Sequence, residues 1–158
     1  MNMMKALLLA ASHTLVAALG FAGGIYALPI LVAPAAPSAA EVGAVAAKAA
    51  YKGSFRRDLT DSDALHWGEG TLSVSAEAVA LMGRVSPGPD FKLYLAPEFV
   101  QTKADFLRLK PKMLRIGDVK TFDNFVVPMP PGTDLAAYNT VIVWCESFGQ
   151  FITAAKYR

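Results

Sequence analysis

The chain begins with a stretch that contains no charged side chain, and this stretch constrains the fold more than any other feature. Residues 6–40 lack Asp, Glu, Lys and Arg, and Ala6–Val32 is apolar apart from Ser12, His13 and Thr14. As a helix, Ala6–Val32 would be about 40 Å long, whereas the hydrocarbon core of a bilayer is about 30 Å thick. The sequence therefore predicts one N-terminal transmembrane helix, with the membrane as its partner.

A cleaved secretory signal is the alternative interpretation of residues 1–33. Lys5 would be its charged end, and the small residues at Ala33–Ala35 or Ser38–Ala40 would be its cleavage site. The apolar region of a signal peptide usually has about 7 to 15 residues, so the greater length of Ala6–Val32 favours an uncleaved anchor. Both interpretations predict that the rest of the chain is exported.

The charges on either side of the apolar span indicate its orientation. Lys5 precedes the span, and the next charged residue is Glu41. Positively charged flanks tend to stay in the cytoplasm, so the N-terminus is expected there and the remaining chain across the membrane. In a bacterium-like cell this predicts a single-pass inner-membrane protein whose C-terminal domain lies in the periplasm. Cleavage would instead give a secreted protein.

The rest of the chain is close to neutral. Without Lys5 its 14 Lys and Arg are nearly balanced by 13 Asp and Glu, so nucleic-acid binding, which needs a clear basic surface, has no support. One basic run, Lys103 to Lys120, has six basic residues against Asp105 and Asp118. A solvated loop is the favoured interpretation of this run, ahead of docking to anionic lipid or to an acidic partner.

Two further segments follow the apolar stretch. Residues 34–50 are rich in Ala and Pro and are interpreted as a tether, with a helix as an option for the second half. Residues 51–158 carry period-two apolar patterns, for example in Thr71–Ala76, Phe91–Pro97 and Thr140–Glu146. With the turn residues between them, these patterns predict about seven or eight short antiparallel strands. The expected fold is therefore all-β, a β-sandwich or a barrel-like domain.

The segments between these strands give three further predictions. Glu98–Met113 is charged and weakly periodic, so it is interpreted as a long insertion with at most a short helix. Arg115–Gly132 predicts a pair of strands that ends at a proline cluster. Thr133–Asn139 predicts one helical turn, with Thr133 or Asp134 as its cap.

Cys145 is the only cysteine in the sequence, so it cannot form a disulfide within the chain. In a strand it would share a face with Val141 and Val143, whereas Trp144 would lie on the other face. A buried free cysteine is most often an inert core residue. Export weakens that interpretation, because an unpaired cysteine in an oxidising compartment suggests burial, intermolecular bonding or a cofactor.

Two other side chains are candidates for chemistry. His66 precedes the first strong strand pattern, and a loop histidine that hydrogen-bonds a turn is the favoured interpretation. His66 and Cys145 are the only histidine and cysteine of the exported part, which excludes a zinc site made of Cys and His alone but not a haem iron or a single copper. Asp90 follows Pro87–Pro89 and is interpreted as a turn-stabilising carboxylate. No pattern supports hydrolase chemistry.

Three short motifs together resemble the DM-thirteen domain, a Skeletor-type module associated with DOMON domains. They are "HWGEG", with His66 and Gly70; "GPD", which ends in Asp90; and "WCESF", with Trp144 and Cys145. The resemblance covers about Tyr51 to Tyr157, although the insertion before Met113 is longer than expected for the family.

The resemblance implies a β-sandwich-like domain with a role in electron transfer. Cys145 would be the redox residue, either as a thiol or by holding a group such as haem, and His66, Trp144 and Asp90 would complete the site. A redox or envelope partner would then be on another protein. The alternative is a non-catalytic ligand-binding or assembly module in which Cys145 is structural. A conventional turnover enzyme is the least expected outcome.

Overall fold

The computed structural model describes residues 2–158, and it begins with one long helix. Helix α1 spans Met3–Val32, and the side chain of Asn2 caps its first turn by accepting a hydrogen bond from the backbone N–H of Lys5. None of its residues is buried, and its most apolar 18-residue window has a mean hydropathy of 2.1. The predicted N-terminal apolar helix is confirmed, and its length and composition fit a membrane anchor or a signal sequence.

The rest of the chain forms eight antiparallel strands in two four-stranded sheets, which confirms the predicted all-β sandwich. The sheet orders are β1-β2-β3-β6 and β5-β4-β7-β8. The strands are β1 (Tyr51–Phe55), β2 (Gly68–Val74), β3 (Ala78–Val85), β4 (Phe91–Ala96), β5 (Leu114–Val119), β6 (Asp123–Pro128), β7 (Thr140–Cys145) and β8 (Gln150–Lys156).

Strand β7 is buried on both faces, and the alternation of its side chains divides the core in two. Val141, Val143 and Cys145 point between the sheets and join the main core. Ile142 and Trp144 point to the outer face of their sheet and join a second apolar cluster. This agrees with the facial assignment made from the sequence, because successive residues of a strand face opposite sides.

The two strands predicted within Arg115–Gly132 do form, but they do not pair with each other. Strand β5 pairs with β4 and β6 pairs with β3, so the chain crosses from one sheet to the other between them. At this corner the hydroxyl of Thr121 donates to the backbone oxygen of Asn124 at 2.6 Å, and Asn124 has a positive φ of 49°. Periodicity marks each strand but does not identify its neighbour.

The basic insertion is held against the outer face of the second sheet. It contains helix α3 (Lys103–Leu109), which Thr102 caps, and a 3-10 turn from Lys110 to Lys112. Phe106 and Leu109 are buried in the second apolar cluster. The predicted short helix is therefore present, with Lys103, Arg108 and Lys112 towards solvent and an apolar face that makes the insertion a third layer.

The segment interpreted as a tether also contacts the sandwich. Helix α2 (Ala39–Ala46) begins at a capping box in which Ser38 and Glu41 bond each other reciprocally. Val42 of α2 is buried, and the helix packs against β3 and β6. The side-chain amide of Asn124 also donates to the backbone oxygen of Pro37 at 3.2 Å. The chain therefore runs from α1 onto the first sheet before β1 begins.

Candidate functional site

Cys145 ends β7 on the face that points between the sheets. Its backbone pairs with Phe91 of β4 and Gln150 of β8, and only 2% of the residue is exposed. Burial raises the pKa of its thiol, although the nearby backbone N–H groups of Phe148 and Asp90 act in the opposite direction. Cys145 is therefore a buried thiol and not a surface nucleophile.

His66 lies in the loop between β1 and β2, where Asp63 fixes its imidazole. The Asp63 carboxylate accepts a hydrogen bond from the backbone N–H of His66 at 2.8 Å, and its other oxygen lies 2.8 Å from Nδ1. The hydrogen bond with His66 lowers the pKa of Asp63, so the carboxyl is ionised and can only accept. Nδ1 therefore carries a proton, and Nε2 is left for a ligand. The interpretation of His66 as a turn-bonded loop histidine is confirmed.

His66 and Cys145 line the same cavity, which has a volume of about 220 Å³. Phe148 and the turn at Gly88 form two of its walls, and Ile25 of α1 contributes to another. The lining is mostly apolar, and the residues in it that carry polar or ionisable side chains are Tyr26, His66, Cys145 and Gln150. The fold thus brings together the two side chains that the sequence singled out, from a loop of one sheet and a strand end of the other.

Trp144 does not line this cavity. Its indole stacks on the ring of Phe106, with centroids 3.9 Å apart and planes at 9°, on the face of β7 opposite Cys145. The expectation that Trp144 would complete the site with Cys145 therefore does not match the geometry. Adjacent residues of a strand point to opposite faces, so Cys145 and Trp144 cannot enter the same cavity from one regular strand.

Asp90 lies beside the cavity and connects the start of β4 to the β7–β8 turn. Its carboxylate lies 2.6 Å from the ammonium of Lys92 and accepts a hydrogen bond from the hydroxyl of Ser147 at 2.9 Å. Its backbone oxygen accepts from the N–H of Glu146 at 3.0 Å. The hydrogen bond from Lys92 lowers the pKa of Asp90, so the carboxylate stays ionised. Asp90 thus positions the β7–β8 turn, which carries Phe148, and does not line the cavity itself.

A comparison with protein-family models gives a match to most of the sandwich described above. Residues 58–157 match the model described as Electron transfer DM13. The chain belongs to the DM13 family. The match spans the sandwich from the loop before β2 to the end of β8, including His66, Asp90 and Cys145, which confirms the resemblance seen in the sequence. No curated protein and no solved structure matches the chain.

Glycine 88 shapes the cavity of this DM13 domain, and sequence reasoning did not give it that role. A Cβ on Gly88 would overlap the ring of Phe91. The ring packs against the turn only because Gly88 has no side chain, and Phe91 in turn faces Cys145 across β4 and β7. The "GPD" motif could have indicated a tight turn here, but not the aromatic ring under it.

A second polar group that the sequence did not indicate lies on the outer face. The carboxylate of Glu146 accepts a hydrogen bond from the hydroxyl of Tyr94 and lies 2.9 Å from the ammonium of Lys110. That ammonium also lies over the ring of Trp144, 5.8 Å from its centroid. These residues are far apart in the sequence and follow no motif. The group ties the basic insertion to β4 and β7.

This outer group predicts an acid-sensitive contribution to stability. Burial alone would raise the pKa of Glu146, but hydrogen bonds from Tyr94 and Lys110 hold it below the ordinary value of 4.5. Because the folded pKa is the lower one, Glu146 stabilises the fold above about pH 4.5 and loses that contribution as pH falls through the folded value. We expect Glu146→Gln to lower stability at neutral pH and to reduce the loss on acidification.

Urea unfolding of the full chain in detergent at neutral and acid pH measures both effects. Glu77→Gln is the matched control, because the side chain of Glu77 is largely exposed and pairs only with Lys48 at the surface. If Glu146→Gln and the wild type lost equal stability between the two pH values, the assigned role of Glu146 would be wrong.

The cavity fits a small organic group better than a haem or a metal ion. Sites that bury larger ligands usually have volumes of about 300 to 1,000 Å³, and a porphyrin needs more space than the 220 Å³ between His66 and Cys145. Within residues 2–158, no three or more His, Cys, Asp and Glu side chains cluster as metal ligands would. A copper centre of the His₂Cys type needs a second histidine, and the other histidine, His13, lies in α1.

Proposed function

We propose that this protein is a membrane-anchored periplasmic electron-transfer domain whose redox chemistry takes place in the cavity between Cys145 and His66. One observation carries the proposal: the only cysteine, and the only histidine outside α1, line one cavity. The family match supports the class of function, because its description is electron transfer. The anchor would keep the domain beside redox partners in the same membrane.

The burial of Cys145 favours chemistry from inside the cavity. A thiol that is 2% exposed and whose pKa is raised exchanges poorly with disulfides in solution. A redox molecule in the cavity would instead contact the sulfur directly. The imidazole of His66 lines the same cavity, and its Nε2 would hydrogen-bond that molecule, which carries the electrons. The electrons would pass to a partner on another protein of the envelope.

Absorption spectra of the full chain, extracted in detergent from native membranes, test the proposal. The protein is measured oxidised and then reduced, beside Cys145→Ser and His66→Leu, with His13→Leu as the matched histidine control. A band that changes on reduction, is lost in Cys145→Ser and shifts in His66→Leu would establish a held redox group. If no band is seen, Cys145 is labelled with maleimide after denaturation. The proposal then requires the labelled fraction to differ between the oxidised and the reduced protein. If neither signal changes, the proposal fails.

The proposed location gives a separate prediction. Lys5 lies in the first turn of α1, before its apolar span, and no charge follows until Glu41, so the domain is expected on the periplasmic side. Alkaline phosphatase fused after Arg158 should be active, because it folds only outside the cytoplasm, whereas green fluorescent protein at the same position should stay dark when exported by the general secretory route. An inactive phosphatase and a fluorescent fusion would place the domain in the cytoplasm. The apparent mass of the chain distinguishes an uncleaved anchor from a cleaved signal.

The second candidate is a non-catalytic binding module, and the burial of Cys145 is the observation that favours it. In that case Cys145→Ala would cost stability by leaving a small void but would leave ligand binding unchanged. A folded Cys145→Ala protein that lost the redox signal described above would exclude this candidate.

A further inference from the structure

The cavity between His66 and Cys145 lies beside the end of α1 that would leave the membrane. Helix α1 has 30 residues, whereas a bilayer core requires about 20. Counted from Lys5, the core would extend to about Ile25, and the last turns of α1 would lie at the level of the lipid headgroups. Ile25 is also where α1 meets the cavity. With α1 as the anchor, the cavity would lie at the membrane interface.

The side chains around the cavity suit that position. Leu65 and Phe148, which line it, are 57% and 56% exposed. Exposed apolar side chains at this depth can enter the bilayer interface, and Tyr26 of α1, which also lines the cavity, is of the type found at that level. The exposed apolar surface of the sandwich is thus continuous with the anchor.

A second apolar cavity continues from the first along the helix. It has a volume of about 300 Å³ and lies between Leu28 and Val32 of α1 and the β7–β8 turn. The two cavities share Ile25 and Phe148. The second cavity extends towards the C-terminal end of α1, whereas the first reaches Ala22, inside the part of α1 counted above as bilayer core. The first cavity therefore suits a molecule that places a ring beside His66 and extends an apolar tail past Ala22 into the bilayer.

Nε2 of His66 can bind a hydroxyl group of a ligand in the first cavity, where Gln150 and Tyr26 are the other polar side chains. Because Asp63 holds Nδ1 of His66 as a donor, Nε2 of the neutral imidazole is a hydrogen-bond acceptor. A hydroxyl on the ligand can donate to Nε2, whereas a carbonyl or ether oxygen cannot. The first cavity, at 220 Å³, is below the usual range for ligands of several rings. Its shape and chemistry therefore suit a single hydroxylated ring.

We propose that the cavity binds a hydroquinone-type molecule dissolved in the bilayer, with a ring hydroxyl donating to Nε2 of His66 and the tail passing Ala22 of α1 into the bilayer. This inference rests on the proposed electron-transfer function, for which it names the class of small molecule that enters the site. It assigns binding only, and the ring would lie against the sulfur of Cys145.

The test uses the full chain in lipid nanodiscs under anaerobic conditions. Decyl-benzohydroquinone is compared with its dimethyl ether, which keeps the ring and the tail but cannot donate a hydrogen bond. Binding is measured as ligand retained by protein-loaded over empty nanodiscs, and as protection of Cys145 from methyl methanethiosulfonate. The hydroquinone is expected to bind about tenfold or more tightly than the ether, since one hydrogen bond is lost.

Matched variants locate the site. His66→Leu should remove the preference for the hydroquinone over the ether, while His13→Leu keeps it. Ile25→Trp should fill the cavity and prevent the ligand from protecting Cys145, whereas Leu31→Trp should not, because Leu31 is exposed and does not line the cavity. Equal binding of hydroquinone and ether by the wild type, or full protection of Cys145 in Ile25→Trp, would overturn the inference.

The outcome separates this inference from the function on which it rests. If hydroquinone fails to bind while the redox signal at Cys145 persists, the inference fails and the electron-transfer proposal stands. If hydroquinone binds with the expected preference and Cys145 shows no redox signal, the binding site stands and the electron-transfer proposal fails.

Discussion

Replacing Phe106 with alanine is expected to lower the free energy of unfolding by about 3 to 5 kcal/mol. Phe106 lies in the basic insertion, yet it is fully buried, stacks on Trp144 at 3.9 Å and meets the ring of Tyr94 edge-on at 5.3 Å. The substitution removes both aromatic contacts and leaves a void on the outer face of the second sheet. Urea unfolding of the full chain in detergent, followed by circular dichroism, measures the loss.

The two leucines of the same helix provide a matched pair for this prediction. Leu109 is 1% exposed and Leu107 is 51% exposed. Leu109→Ala should cost about 2 to 5 kcal/mol, and Leu107→Ala should change stability by about 0.5 kcal/mol or less. Equal, small effects at Phe106 and at both leucines would show that the insertion is a solvated loop and not a third layer.

Gly70→Ala is expected to destabilise the domain by about 3 kcal/mol or more. Gly70 has a φ of 121°, which L-residues with a side chain rarely adopt, and an added Cβ would overlap the backbone oxygen of Met82. The paired residue, Gly83, packs equally closely in the next strand. Gly70 therefore lets β2 and β3 approach each other just after the loop that carries His66.

Gly132→Ala separates the two causes of this effect. Gly132 also has a positive φ, of 78°, but an added Cβ would have no atom within 4 Å. Its substitution should therefore cost only the backbone strain, about 1 to 2 kcal/mol. The difference in unfolding free energy between the two variants measures the backbone overlap at Gly70. No difference would mean that β2 and β3 can move apart without cost.

Local patterns predicted much of the fold because alternation decides which residues of a strand are buried. The run from Val141 to Cys145 shows this: both of its faces are apolar in the sequence, and both are buried in the structure. The pairing of the strands was harder to predict, since Arg115–Gly132 gives two strands that belong to opposite sheets. Pairing depends on contacts distant in sequence, which periodicity does not contain.

The candidate site was predicted in part for the same reason. The sequence identified His66 and Cys145 by residue type, and the order of the motifs agreed with the family. It did not indicate that Asp63 fixes the imidazole or that α1 closes one side of the cavity, because both depend on tertiary contacts. The family resemblance grouped Trp144 with Cys145, although the alternation of the strand had already placed the two side chains on opposite faces.

A redox titration of the full chain in native membranes tests the central claim, that Cys145 and His66 form one redox site, most directly. Each sample, poised at a defined potential, is read by absorption and by labelling of Cys145 after denaturation. We expect at least one reading to change reversibly with potential, to disappear in Cys145→Ser, to shift in His66→Leu and to remain unchanged in His13→Leu. Readings that stay constant at every potential, or that respond equally in all four proteins, would contradict the claim.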